Sequence, residues 1–462
     1  VDEGLIILLG PDVIDDGDRS LPANDLGTVF ELVAQEIDLA ATLANGQKLT
    51  TTNVPVIGDV DIYATGMSYS GPFVFLDSFD GYLEATIILQ NLKVDLSFVY
   101  ETCFPFVGCS DSTLTGNATA SEITIVTKVA MSLNPATGEL EASSLGTDVI
   151  VGSNFDVNLD GILGAIVEFI VGFFNDTFAN ELASAVEGEV EGLIPSLFGD
   201  AFSSLEISEV FSFPPLFGGD QSVDVVFESF LALLDFFSEG ALIGMESTAN
   251  PLQPLPKDTL GSIGRAECLE TGSDISPFFT GDDLGIGLHD DVFNRLLFAV
   301  WQGGGLEFPV SSDALGGLDL DGLGIGDLSV EIEFLAPPVV SGCTPSGDLE
   351  IQIGDMGVYA SLTFGAIPLD VDIYASLRAE AAFTVVEDDG GQQLGLTLSE
   401  VKDLKTDLVF SSPEQMVFED ALVTLIEEEL IPIFLGTLTE GSIGGFPLPS
   451  IDLSSIEGIP GG

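Results

Sequence analysis

His289 is the only histidine in the 462-residue chain, so any serine or cysteine nucleophile that depends on an imidazole base would have to use it. A nucleophile elbow of the GxSxG type is missing. Gly66-Met-Ser-Tyr-Ser70 carries serine where the second glycine belongs, and a turn that sharp tolerates little else. Asp290 and Asp291 follow His289 directly and suit the first turn of a helix, where acidic side chains meet unpaired amides. Carboxylate pairs such as Asp15-Asp16 and Asp388-Asp389 are unremarkable in a chain with 75 Asp and Glu. They read as solvated surface. The expectation is therefore a protein that is not an enzyme, with no catalytic residues.

Metal chemistry is equally thin. Asp319, Asp321 and Asp327 stand among glycines in Leu318-Asp-Leu-Asp-Gly-Leu-Gly-Ile-Gly-Asp327 and offer oxygen ligands. The regular ligand spacing and terminal Glu of a calcium loop are missing, so calcium stands only as a candidate there. The four cysteines include no CxxC pair, which with one histidine argues against zinc. Cys103 and Cys109 flank a short loop, and Cys268 and Cys343 lie in Gly/Ser-rich segments. This reads as two disulfides and an extracytoplasmic location, with three pairings open. Val1 leads into DEGLIILLGPD without a basic segment or signal-type core, so any targeting peptide is expected to have been removed or to lie outside this chain. Asn117-Ala-Thr119 and Asn175-Asp-Thr177 fit the glycosylation sequon.

Ten Lys and Arg against the 75 acids give a formal charge of −65, which repels phosphate backbones and excludes nucleic acid as a partner. A disordered acidic chain would be poor in apolar residues. This one is 46% hydrophobic with 33 Phe and has a mean hydropathy of +0.44. Acidity and apolar excess coexist when a charged face covers more apolar surface than a compact core requires, and an internal apolar cavity would use that excess. The most apolar stretch, Gly161 to Phe174, is interrupted by Glu168 and is too short to span a bilayer as a helix.

The elements that would frame such an interior are long strands and long helices. Leu83, Ala85, Ile87 and Leu89 alternate with polar residues, the phase slips at Asn91, and Leu92, Val94, Leu96 and Phe98 continue. A bulge in one long strand explains the slip. Leu369 to Ala381 alternate in the same way. Apolar residues at helical spacing predict helices over Asp160 to Phe198 and from about Glu414 to Leu438. Their ends echo each other, as Glu191-Gly-Leu-Ile-Pro-Ser-Leu-Phe-Gly199 and Glu428-Glu-Leu-Ile-Pro-Ile-Phe-Leu-Gly436. The same order of strands, helix, Leu-Ile-Pro and Gly in each half indicates a duplicated domain. ANPLQPLPKD, residues 249 to 258, reads as an extended connector between the copies.

Three segments resemble the two-domain branch of the tubular lipid-binding superfamily, that of bactericidal/permeability-increasing protein and the lipid-transfer proteins. They are Gly285 to Leu306, a turn into a helix ending before a Gly-Leu strand; Gly444-Gly-Phe-Pro-Leu-Pro-Ser450 with Ile451, Leu453 and Ile456; and the helix ending near Leu193 with the apolar strands through Phe213. The resemblance implies an elongated, pseudo-symmetric α+β molecule in which each domain is a highly twisted antiparallel barrel wrapped on a long amphipathic helix. A central β-sheet would join the two. The expected domains are 1–248, with central-sheet strands from about 205, and 259–462, with a final central-sheet strand over 446–460.

With the resemblance, the expected disulfides become Cys103-Cys109 and Cys268-Cys343. It also implies acyl chains held in an apolar slot in each domain, against Ile162, Ile166, Phe169, Ile170 and Phe173 in the first and Phe293, Leu297, Phe298, Trp301, Leu422 and Ile426 in the second. The expected function is binding, transport or sequestration of phospholipid-like amphiphiles, with bound lipid in place of a cofactor and peripheral membrane contact. The competing reading is a structural or adhesive surface protein whose barrels are filled by side chains and whose acidic face binds cations. The lack of basic residues departs from the best-known family member and argues against endotoxin neutralisation.

Overall fold

The computed structural model describes the chain apart from residues 2–3, 21–22, 37–40, 42–45, 47, 55–57, 105–107, 135–137, 153–155, 160–178, scattered positions between 181 and 204, 214–221, 239, 260, 263–283, 311–324, 343–348, 365–366, 389–390, 412–422, 424–442 and 448–462. In chain order, β1 (Leu5–Leu9), α1 (Pro11–Asp15) and α2 (Leu26–Glu36) lead into β2 (Lys48–Val54), β3 (Gly58–Phe79), β4 (Tyr82–Phe104), β5 (Gly108–Leu133), β6 (Leu140–Val151) and β7 (Asp156–Leu159). Strands β2 to β6 pair in sequence order and β7 returns to pair with β5. Next come β8 (Ile207–Phe213), β9 (Val223–Phe237), β10 (Gly240–Pro251) and β11 (Leu284–Leu288). These join β1 in a five-stranded sheet of order β11-β1-β10-β9-β8.

Helix α3 (Asp290–Gln302) then precedes β12 (Glu307–Val310), β13 (Ile325–Phe334), β14 (Val339–Ser341), β15 (Leu349–Phe364), β16 (Ile367–Asp388), β17 (Gly391–Phe410) and β18 (Ile443–Pro447). Their order is β12-β13-β15-β16-β17-β18, with β14 also on β15. Every pairing in the three sheets is antiparallel.

The strands are long because their apolar alternation survives phase slips. In β4 the buried set passes from Leu83, Ala85, Ile87 and Leu89 to Leu92, Val94, Leu96 and Phe98. Asn91 takes up the extra residue at φ 53°, where the register to β3 shifts between Ser68 and Ser70. The same device recurs in the third sheet. Asp355 at φ 50° separates buried Ile351 and Ile353 from Met356 and Val358 in β15, and the register to β16 shifts there. Asp403 at φ 51° does the same in β17. Asn and Asp tolerate this left-handed conformation better than other side chains, and each bulge bends its strand. Bending is required. Twenty-three residues in β4 extend about 75 Å, whereas the 11 residues of α2 span about 16 Å, so only a curled sheet brings its inward face around so short a helix.

Two apolar clusters result. One gathers the inward residues of β3, β4 and β5 with Ile14, Val29 and Phe30 of α1 and α2 and with Leu182, Val186, Ile194 and Phe198. Residues 179–180, 182–184, 186–188, 194, 198–199 and 202 are helical, and the rest of the helix predicted over Asp160 to Phe198, including 160–178, lies outside the described residues. Phe198 anchors this segment, with ring centroids 5.7 Å from Phe30, 5.2 Å from Phe202 and 6.3 Å from Phe236. The other cluster gathers α3 with the inward residues of β13, β15 and β16.

The five-stranded sheet serves both. Leu234, Phe236, Ile243 and Met245 belong to the first cluster, and Val225, Phe227 and Ala249, farther along the same two strands, belong to the second. The hydroxyls of Ser229 and Ser247 meet at 3.0 Å between these stretches, fully buried and mutually satisfied. Strand β1 pairs with the first part of β10, Leu9 with Ala241 and Leu5 with Met245, and β11 closes that edge of the sheet, Leu5 with Leu288 and Leu9 with Leu284.

One boundary differs from that read in the sequence. Strand β10 runs through Pro251, with Ala249 opposite Phe227 and Pro251 opposite Val225, so the first three residues of the expected 249–258 connector belong to the sheet. Proline is tolerated there because it ends the strand. Of the strand expected over 446–460, only residues 446 and 447 are described; they end β18, which pairs with Gln393 to Leu396 of β17.

Candidate functional site

Helix α3 carries four of the residues expected to contact lipid, and its placement follows from its ends. His289 caps the N-terminus, its Nδ1 accepting from the Asp291 amide at 3.2 Å. Asp290 accepts from the Gly342 amide at 3.0 Å, and Asp291 accepts from the side chain of Asn294 at 3.2 Å. These three residues bring one ligand atom each within 4.8 Å of one another. Each is already engaged in starting the helix and fastening it to the turn after β14. The sole histidine thus serves as a cap.

Asn294 completes the attachment. Buried in the helix interior, its amide donates to the Val340 carbonyl at 3.1 Å and accepts from the Val340 amide at 2.7 Å, as a neighbouring strand would. At the far end, Gly303 and Gly305 let the chain pass β9, since a Cβ on Gly303 would stand 2.4 Å from Val223 Cγ1.

Between these ends Phe293, Leu297, Phe298 and Trp301 are all buried, at 8%, 4%, 4% and 4% exposure, within the second cluster. Trp301 donates from Nε1 to the Phe334 carbonyl at 2.6 Å, and its ring lies 5.7 Å from that of Phe298. Ile162, Ile166, Phe169, Ile170, Phe173, Leu422 and Ile426 lie outside the described residues, as do Cys268, Cys343, Asp319 and Asp321. Asp327 sits on β13, with its side chain outside them. Cys109 is disulfide-bonded, and the β4–β5 register sets Cys103 directly opposite it.

The inward face of the sheets is unusual in its small residues. Ala64, Ala85, Ala118 and Ala120 in the first cluster and Ala360, Ala375, Ala379 and Ala381 in the second are all buried. Core packing alternates large and small residues across facing positions, and these alanines are small members on the sheet side.

Two polar clusters were not anticipated from the sequence. Arg19 forms paired hydrogen bonds to Asp15 at 2.8 Å, reaches Glu31 at 3.3 Å and donates to the Val74 carbonyl. Asp15 and Glu31 in turn accept from the amides of Leu76 and Val74. Side chains of α1 and α2 thus satisfy the backbone of β3 along a stretch that β2 does not cover. Hydrogen bonding to Asp15 pushes the Arg19 guanidinium up. Burial, reinforced by Asp15 and Asp16, pushes the Asp25 carboxyl up against its bonds to Thr28.

The second cluster lies where the connector meets α3. Leu255 donates from its amide to the Gln302 carbonyl at 2.8 Å. Lys257 pairs with Glu307 and stands 4.4 Å from the Trp301 ring centroid. Leu255, Pro256, Lys257, Asp258, Trp301, Glu307, Glu333, Phe334 and Leu335 surround a cleft of about 420 Å³. The signal for both clusters was the scarcity of cations, because a chain with ten Lys and Arg places few of them without a partner.

Long, curled antiparallel sheets with few helices are consistent with the fold of the bactericidal/permeability-increasing protein group. Among solved structures, the chain is similar to a lipopolysaccharide binding protein, at a TM-score of 0.43 and 10% identity over 98% of this chain and 94% of that one. It is also similar to P47 of Clostridium botulinum E1, at a TM-score of 0.27 and 9% identity over 96% and 94% of the two chains. P47 from Clostridium botulinum A2 gives a TM-score of 0.28 and 9% identity over 94% and 87%. No family model matches the chain, and no curated protein matches it.

Proposed function

We propose that this protein binds lipid-like amphiphiles without covalent chemistry, holding acyl chains between the alanine-lined inward faces of its long sheets and the helices packed on them. The observation that carries this reading is the set of small residues at buried, inward positions of β3, β4, β5, β15 and β16. Small side chains at those positions would leave room for a flexible acyl chain, and each methylene it buries contributes about 0.8 kcal/mol. Phospholipid is the proposed cargo, carried or sequestered outside the cytoplasm, where Cys103-Cys109 and Cys268-Cys343 would both persist as disulfides.

The test fills the space. Ala379→Phe in β16 should sharply reduce uptake of a fluorescent fatty acid by the second cluster while changing the unfolding midpoint little. In a barrel already filled by side chains, the same change overpacks the core at a cost of about 1–3 kcal/mol. That loss of stability, with uptake unaltered, would support a structural protein instead.

A further inference from the structure

We propose that the cleft beside Trp301 is a binding site for a small organic ammonium, separate from the acyl-chain interiors and independent of the lipid reading. The chain already places one alkylammonium there. Lys257 Nζ lies 4.4 Å from the Trp301 centroid and pairs with Glu307, the combination of aromatic face and carboxylate that recognises ammonium groups. Asp258, Glu307 and Glu333 outnumber Lys257 on the walls, so the cleft carries two formal negative charges in excess and disfavours phosphate or carboxylate ligands. The C-terminal end of α3, which finishes at Gln302, adds the negative pole of its dipole.

The remaining lining suits methylated or methylene-bearing cations. Leu255, Pro256 and Leu335 supply apolar wall, and a volume of about 420 Å³ falls within the range of small-molecule sites, about 300–1,000 Å³. A bare metal ion fits less well. Among the described residues only His289, Asp290 and Asp291 bring three ligand atoms together, so the cleft carboxylates do not converge as a metal requires. Tyr359 hydrogen-bonds to Glu333, and burial pushes its phenol up, so it remains a donor that holds the carboxylate in place.

Trp301 is the only tryptophan, so its emission reports on the wall of this cleft and on the second apolar cluster to which its ring belongs. Choline chloride titrated against sodium chloride at constant ionic strength should change that emission saturably, and inorganic phosphate should not. Glu333→Gln keeps an acceptor for Tyr359 but removes the charge, and should weaken choline about tenfold, a loss of about 1.4 kcal/mol. Lys257→Met removes the internal competitor and should tighten binding. A phosphate site would respond oppositely, losing its ligand with Lys257. Saturation by choline assigns a free amine as a ligand; saturation only by dodecylphosphocholine micelles, weakened by Glu333→Gln, assigns the ammonium of a lipid headgroup, whereas saturation by the micelles that Glu333→Gln leaves unchanged reports the dodecyl chain and counts against the cleft. No saturable response to either, saturation by phosphate, or loss of choline binding in a folded Lys257→Met protein would overturn the proposal. Glu333→Gln decides the matter if Lys257→Met does not fold.

Discussion

Replacing Asn294 with leucine tests how α3 is held against the third sheet. The asparagine amide serves both backbone groups of Val340, accepting at 2.7 Å and donating at 3.1 Å, and Val340 is wholly buried. Leucine is close in volume and more apolar, so the substitution creates little cavity but leaves an amide and a carbonyl without partners. Each orphaned buried group costs about 1–3 kcal/mol. Burial of the new side chain offsets part of this, by at most about 1.5–3 kcal/mol, so the net loss is about 1–4 kcal/mol. Asn294→Asp keeps the acceptor, loses the donor and faces Asp291, and should lose at least as much at neutral pH. Equilibrium unfolding in urea, followed by Trp301 emission at fixed salt, reads the change on the same helix. A loss below about 0.5 kcal/mol for Asn294→Leu would show that the Val340 groups find other partners and that the attachment is not what fixes α3.

Other consequences follow from the bulges and charges. Asp355→Gly should leave stability nearly unchanged, whereas Asp355→Val should cost about 1–2 kcal/mol because a branched side chain resists φ 50°; equal unfolding midpoints would show the bulge can be absorbed elsewhere. Burial holds the Asp25 carboxyl above its ordinary range, so its contribution to folding is present at low pH and lost as pH rises through the folded value. Asp25→Asn, which keeps the cap on α2, should therefore be more stable than wild type at pH 7, with the advantage shrinking as pH falls toward 4; an advantage constant with pH would rule out charge burial as its cause. A net charge of −65 makes approach to anionic vesicles costly. Co-sedimentation with them should rise with sodium chloride, as the Debye length shortens from about 10 Å at 0.1 M to about 3 Å at 1 M, and a steep fall would contradict the charge argument.

Local periodicity carried much of the fold. The slip at Asn91 and the Leu369 to Ala381 alternation mark β4 and β16 because one face of each is buried, and period two then shows in the residues. Equivalent slips at Asp355 and Asp403 were present in the same form but were not read. The pairing of β1 with β11 was not legible. Five-residue strands such as Leu5-Ile-Ile-Leu-Leu9 show no alternation, and their partners lie nearly 300 residues apart. The clamp around Arg19 and the Lys257 cleft escaped for a related reason, because side chains that meet only in space leave no spacing in the chain. For α3, the resemblance singled out Phe293, Leu297, Phe298 and Trp301 as lipid contacts, and burial among apolar side chains is the same for packing and for ligand contact.

Mass spectrometry of organic extracts from gently purified, folded protein tests the central proposal most directly. Bound acyl-chain lipid in near-integral ratio to protein, retained through gel filtration and displaced by a fluorescent fatty acid, is the predicted result. Protein that carries no lipid and takes up no acyl probe, while unfolding cooperatively, would contradict it.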